Sequence, residues 1–175
     1  RPIRIFHRET DRGRLERNLE TLFRLHREAL AWLEEYTSIP YPFDKFDLVL
    51  LPAFQFGGME HPGAVFYRDS RLLLDEAPSQ SELLERATLI AHETAHMWFG
   101  NLVTMEWFND VWMKEVFAGF MADKITEPAF PDVDHQLRFL LSHFPEAYAV
   151  DRSLGTHPIR QPLGNLEDAG DLYGA

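Results

Sequence analysis

His92-Glu93-Thr94-Ala95-His96, followed after residues 97–114 by Glu115, is the segment from which the rest of the chain can be laid out. On an α-helix, residues four apart share a face, so the two imidazoles aim at one point. Glu93 is rotated off that axis by one residue, which suits it to hold a water beside a metal rather than to ligate one. A catalytic zinc takes three protein ligands and keeps a fourth position open. Glu115 is a chemically suitable third ligand, giving a His₂Glu set. The plainer alternative is a pair of buried, hydrogen-bonded histidines on a core helix. A bare H-E-x-x-H arises by chance in roughly fewer than one in a hundred chains of this size, which weighs against that alternative.

The 175 residues fit one domain with a real core, and 45% hydrophobic with 13% aromatic residues predicts folding rather than disorder. The net charge of −11 argues against a nucleic-acid surface, because phosphate binding needs a basic footprint. It suits a cationic ligand such as a peptide N-terminus, although a soluble surface is the commoner cause of such a balance. Without cysteine, disulfides and thiolate metal sites are excluded. No run approaches the length of a membrane span. The residues leave the cellular compartment undecided; a soluble, cytoplasmic domain is the expectation. The first residue is Arg1 rather than methionine, so an excised or processed piece of a longer protein is expected.

Residues 11–36 predict an amphipathic helix, with Leu15, Leu19, Leu22, His26, Ala29 and Leu33 at helical spacing. Ile39-Pro40-Tyr41-Pro42 ends it. Leu48-Val49-Leu50-Leu51, Val65-Phe66-Tyr67 and Leu72-Leu73-Leu74 read as short strands. Gly57-Gly58 and Pro62-Gly63 bracket Met59-Glu60-His61, a segment expected to need unusual backbone freedom. Ser79 with Glu82 forms a capping box for a buried helix predicted to run through the histidines to Phe99 and stop at Gly100. A further helix over about 110–126 carries Glu115, and another covers 132–149, with Pro145 near its end. From Asp151 onward the chain reads as irregular.

Taken together, these motifs resemble the gluzincin zinc aminopeptidases, the family of aminopeptidase N and leukotriene hydrolase. The run His92 to Thr104, then Trp107-Phe108-Asn109-Asp110 and Glu115, carries the likeness. Gly57-Gly58-Met59-Glu60-His61 resembles the family's G-A-M-E-N exopeptidase motif, and Pro40-Tyr41-Pro42 through Pro52 resembles the run leading into it. The likeness is close over roughly residues 36–126 and looser elsewhere. It implies an α+β, thermolysin-like catalytic domain in which a small sheet (strands near 46–51, 65–67 and 72–74) packs beside the metal helix.

The resemblance further implies that His92, His96 and Glu115 hold one zinc per chain, and that Glu93 is the general base for the attacking water. Glu60 would bind the substrate's α-ammonium, and Gly57, Gly58 and Met59 would pair with an extended peptide. The substrates implied are peptides with a free N-terminus, cut after the first residue. His61 is a further candidate substrate contact. The other histidines (His7, His26, His135, His143, His157) lack ligand spacing. Asp110 is a candidate for orienting a ligand histidine, or else an ordinary helix-start carboxylate.

Departures from the family pattern accompany these matches. Lys114-Glu115-Val116 stands where the family usually reads N-E-G, His61 replaces an asparagine, and Ala122 stands where relatives often carry glutamate. Lys114 beside a metal is unfavourable unless its side chain reaches solvent. The family's oxyanion-stabilising tyrosine lies downstream of the third ligand; Tyr173 aligns with a packing aromatic instead. The expectation is one truncated catalytic domain over 1–175, without the family's N-terminal β-domain and C-terminal helical domain, and weakly active or inactive by itself. Two other readings stay open: a zinc-binding scaffold without turnover, and a thermolysin-like endopeptidase.

Overall fold

The computed structural model describes residues 2–156 and 158–165; His157 and Tyr173 lie outside them. Four strands form one sheet in the order β1-β2-β4-β3, comprising β1 (Ile3–Phe6), β2 (Phe46–Leu51), β3 (Gly58–Met59) and β4 (Ala64–Arg68). β1 and β4 flank β2 in parallel, and β3 closes the far edge antiparallel to β4. The helices are α1 (Arg12–Thr37), α2 (Asp69–Leu72), α3 (Gln80–Ala95), α4 (Trp112–Thr126) and α5 (His135–Asp151). The expected α+β class with a small sheet beside the histidine helix is borne out.

α1 starts at Asp11, whose side chain accepts from the Arg14 amide, and stops at Ser38 in a left-handed conformation (φ 55°). Its buried stripe of Asn18, Leu22, Leu25, His26, Ala29 and Leu33 follows helical spacing and packs against α3. Phe46, Leu48 and Leu50 of β2 and Val65 and Tyr67 of β4 fill the space between. Each such apolar side chain contributes about 1.5–3 kcal/mol on burial. Among the described residues, α5 leaves its apolar side chains Leu137, Phe139, Leu140, Leu141 and Phe144 exposed.

Two expectations need correction. Leu72-Leu73-Leu74 is not a strand: Leu72 closes α2, and the next two residues run as a buried loop. The loop survives burial because distant side chains replace a ladder. Arg14 donates to the Leu73 carbonyl (2.6 Å), and Asn18 both donates to the Leu74 carbonyl (2.9 Å) and accepts from its amide (3.2 Å). The sheet's two unexpected strands are β3 and β1, and in β1 Arg4 grips Asp47 through two hydrogen bonds of 2.9 and 2.7 Å.

His26 is fully buried inside this frame. Its Nδ1–H donates to the Leu22 carbonyl (2.7 Å) and its Nε2 accepts from the Tyr67 hydroxyl (3.1 Å). This fixes the neutral tautomer. Burial pushes its pKa down to about 4, against about 6.5 in an unfolded chain. With the folded value depressed, the unfolded state binds the extra proton first. Stability is therefore complete above pH 6.5 and falls as the pH drops towards 4, by at most about 3 kcal/mol from this group. Denaturant unfolding at pH 7 and pH 4.5 should show that loss, and the His26→Leu variant should show a smaller one.

Candidate metal centre and substrate cleft

The capping box at the start of α3 forms in both directions: the Ser79 hydroxyl accepts from the Glu82 amide (3.2 Å), and Glu82 accepts from the Ser79 amide (2.8 Å). The helix ends at Ala95, earlier than the expected Phe99, and His96 is its C-cap. His96 keeps the α-helical bond to the His92 carbonyl (3.2 Å), so the two histidines retain their common face. Beyond it the chain turns back through Gly100 (φ 129°), whose amide donates to the Val103 carbonyl (2.8 Å). α4 then returns against α3.

That return brings Glu115 to the histidines. Glu115 Oε2 lies 3.3 Å from His92 Nε2 and 3.7 Å from His96 Nε2, and the two imidazole nitrogens are 3.1 Å apart. An ion bound tetrahedrally at about 2.1 Å per ligand needs donors about 3.4 Å apart. The three atoms therefore fit one divalent cation without rearrangement. His96 Nδ1–H donates to the Phe99 carbonyl (3.1 Å), which leaves its Nε2 lone pair facing the cluster. Burial raises the Glu115 pKa, but the interaction with the His92 and His96 imidazoles outweighs it and holds the carboxyl well below the usual range.

Glu93 is buried beside this set, and its Oε2 has no hydrogen-bond partner. Its pKa is pushed up to about 9, first by burial and then by the charges of Glu60 and Glu115, with Lys114 opposing. Gly58 explains how the carboxylate fits: a Cβ there would fall inside the Glu93 side chain. Gly57 and Gly58 do not adopt positive φ; only Gly63 (φ 74°) does so in this segment. The glycines at 57–58 thus provide room for a neighbour, not the backbone freedom expected of them.

Glu60, also buried, is grouped with Glu93 and His96 in a second set of close donor atoms. Asn101 donates to its carbonyl (2.7 Å) and so anchors the strand end that carries it. Burial raises the Glu60 pKa, while the charge of His96 and a hydrogen bond from Lys114 bring it below its ordinary value. Gly57, Gly58, His92 and Glu93 line a cleft of about 740 Å³ between the sheet edge and α3, with Leu89 and Arg138 further along it.

The sequence profile described as Peptidase family M1 domain matches residues 22–175. The chain belongs to peptidase family M1. Among curated proteins, it is 39% identical over 84% of its length to "Probable aminopeptidase 1" of Sulfurisphaera tokodaii, of which it covers 19%. It is 38% identical over 85% of its length to "Leucyl aminopeptidase" of Saccharolobus solfataricus, also covering 19%. Against human "Endoplasmic reticulum aminopeptidase 1" the figures are 44%, 82% and 15%. The M1 chain thus spans about a fifth or less of the length of these relatives. No helix among the described residues is long and apolar enough to cross a membrane.

At Asp110 the helix-start alternative is the one observed in this M1 chain, and at Lys114 a solvent-directed side chain is not. Asp110 does not reach a histidine of the cluster; it accepts from Arg160 at 2.7 and 3.2 Å. Lys114 does not turn to solvent. Its ammonium is ion-paired with Glu60 Oε1, and it lies 4.0 Å from Glu115 Oε1. The buried Glu60 carboxylate, with the half-buried Glu115 nearby, attracts the ammonium more strongly than exposure rewards it. His61 is exposed and packs its ring on Phe66 (centroids 4.6 Å apart). Sequence reasoning passed over Asn101, although its place five residues after His96 was legible.

The contact at Gly58 gives a direct test. Gly58→Ala should displace Glu93 and cost about 1–3 kcal/mol in denaturant unfolding, the usual range for overpacking. Gly119→Ala on α4 meets nothing within 4 Å and should be neutral or stabilising by up to about 1 kcal/mol. Equal effects at the two positions would refute the close-packing role of Gly58.

Proposed function

We propose that this domain supplies the catalytic centre of a zinc-dependent aminopeptidase, hydrolysing the first peptide bond of substrates with a free N-terminus. The observation that carries the reading is the meeting of His92, His96 and Glu115 donor atoms within 4.8 Å of one another, with an unpartnered carboxylate oxygen of Glu93 beside them. Names printed for the relatives, aminopeptidases in each case reported above, support it. His92, His96 and Glu115 would hold the zinc, which supplies Lewis acidity that polarises a carbonyl and makes a water more nucleophilic near neutral pH.

The chain's own groups do the rest. Glu93 takes the proton of the attacking water on its free oxygen and passes it to the departing amine. A dication in the donor set favours the ionised form of Glu93, against the burial that raises its pKa. Met59 and Gly58 form an edge strand, whose outer backbone groups suit an extended peptide. Glu60 receives the α-ammonium of that peptide through a charge-assisted contact, and this position sets the cut one residue from the end.

The test compares the intact protein with its Glu93→Gln variant, measuring zinc content and hydrolysis of aminoacyl anilides. Zinc should be retained, and kcat should fall by about 10²–10⁴-fold; undiminished hydrolysis would remove Glu93 from the role of base. Replacing Glu115 with alanine should instead lower zinc content, because two ligands remain of three. N-acetylated anilides should resist cleavage. Equal turnover of free and acetylated substrates would overturn the role given to Glu60.

A further inference from the structure

The Lys114 ammonium has the chemistry of the group that Glu60 is proposed to read. Both are primary ammonium ions, and Lys114 already holds the Glu60 carboxylate in the described structure. The pair is well enclosed, with side chains 18% and 9% exposed. Its approach is built into the fold. The aliphatic stem of Lys114 lies across Gly100, where a Cβ would come within 2.9 Å of the lysine Cγ and 3.1 Å of its Cε. Gly100 also has a positive φ, 129°, so glycine is favoured there on two counts. On its far side, the ammonium is 4.0 Å from Glu115, which places it between the Glu60 carboxylate and the donor cluster.

We propose that Lys114 is a specificity-determining internal competitor, occupying the α-ammonium subsite until an incoming peptide N-terminus displaces it. The proposal rests on the amine-binding role of Glu60 advanced above. Displacement breaks the Lys114–Glu60 ion pair in a poorly solvated place, which weakens the binding of any free amine. An N-blocked ligand carries no competing charge and is not subject to this penalty. The lysine thus narrows the advantage that a free N-terminus would otherwise enjoy.

The experiment uses the intact protein, freed of metal by chelation, and L-leucinol with its N-acetyl derivative as probes that cannot be hydrolysed. Calorimetric titration gives the affinities. Lys114→Gln and Lys114→Met should each bind leucinol about tenfold more tightly than wild type, equivalent to about 1.4 kcal/mol. N-acetyl-leucinol should change less than twofold, and Lys114→Arg, which keeps the cation, should stay near wild type. If Glu60→Gln abolishes leucinol binding while neither neutral Lys114 variant strengthens it, the competitor role is lost and the amine subsite stands. If Glu60→Gln leaves leucinol binding unchanged, the amine subsite fails, and the proposal fails with it.

Discussion

The docking of α4 against α3 puts one carboxylate within 4 Å of two imidazoles. Everything chemical in this chain follows from that juxtaposition. Neither helix forms the site alone. α3 fixes the two histidines on one face by simple helical geometry, and the turn through Gly100 reverses the chain so that the first turn of α4 delivers Glu115. Ala87, Ile90 and Ala91 of α3 and Ala118, Met121 and Ala122 of α4 are all buried. Ala122 is fully buried where the family pattern often carries a glutamate.

Around that pairing the protein concentrates charge in a poorly solvated place. Glu60, Glu93 and Glu115 gather there, with Lys114 as the side-chain cation among them. Like charges at such separations repel strongly when water is scarce. On the proposed reading, a dication between the ligands would relieve that repulsion. The ion pair of Lys114 and Glu60 relieves part of it by a second route. Both would answer one electrostatic problem.

Much of this could be read in the residues, because the informative features are local. The H-E-x-x-H spacing, the Ser79–Glu82 cap and the strands β2 and β4 depend on neighbours within a few positions. β1 was missed because its four residues carry little pattern by themselves; its reason for existing is Asp47, 43 positions from Arg4. The run Leu72–Leu74 misled for the same reason. Its apolar residues are buried as a strand's would be, yet Asn18 and Arg14 supply the hydrogen bonds from another helix. The direction of Lys114 was not legible either. A long flexible side chain chooses between solvent and a buried carboxylate only after the tertiary structure has set the distances.

The same separations bear on the order in which the parts assemble. Closing a short loop loses less chain entropy than closing a long one, so the turn between α3 and α4 can join before the sheet is complete. β1 reaches its place on β2 across some forty residues, as a parallel pair that no tight hairpin can nucleate. The niche for Glu93 is shaped by Gly58 on the last strand of that sheet. On the proposed reading, the three-donor face needs only the α3–α4 turn, whereas the enclosure of Glu93 also needs the edge strand that carries Gly58, so ion affinity and the setting of the base would depend on different parts of the chain.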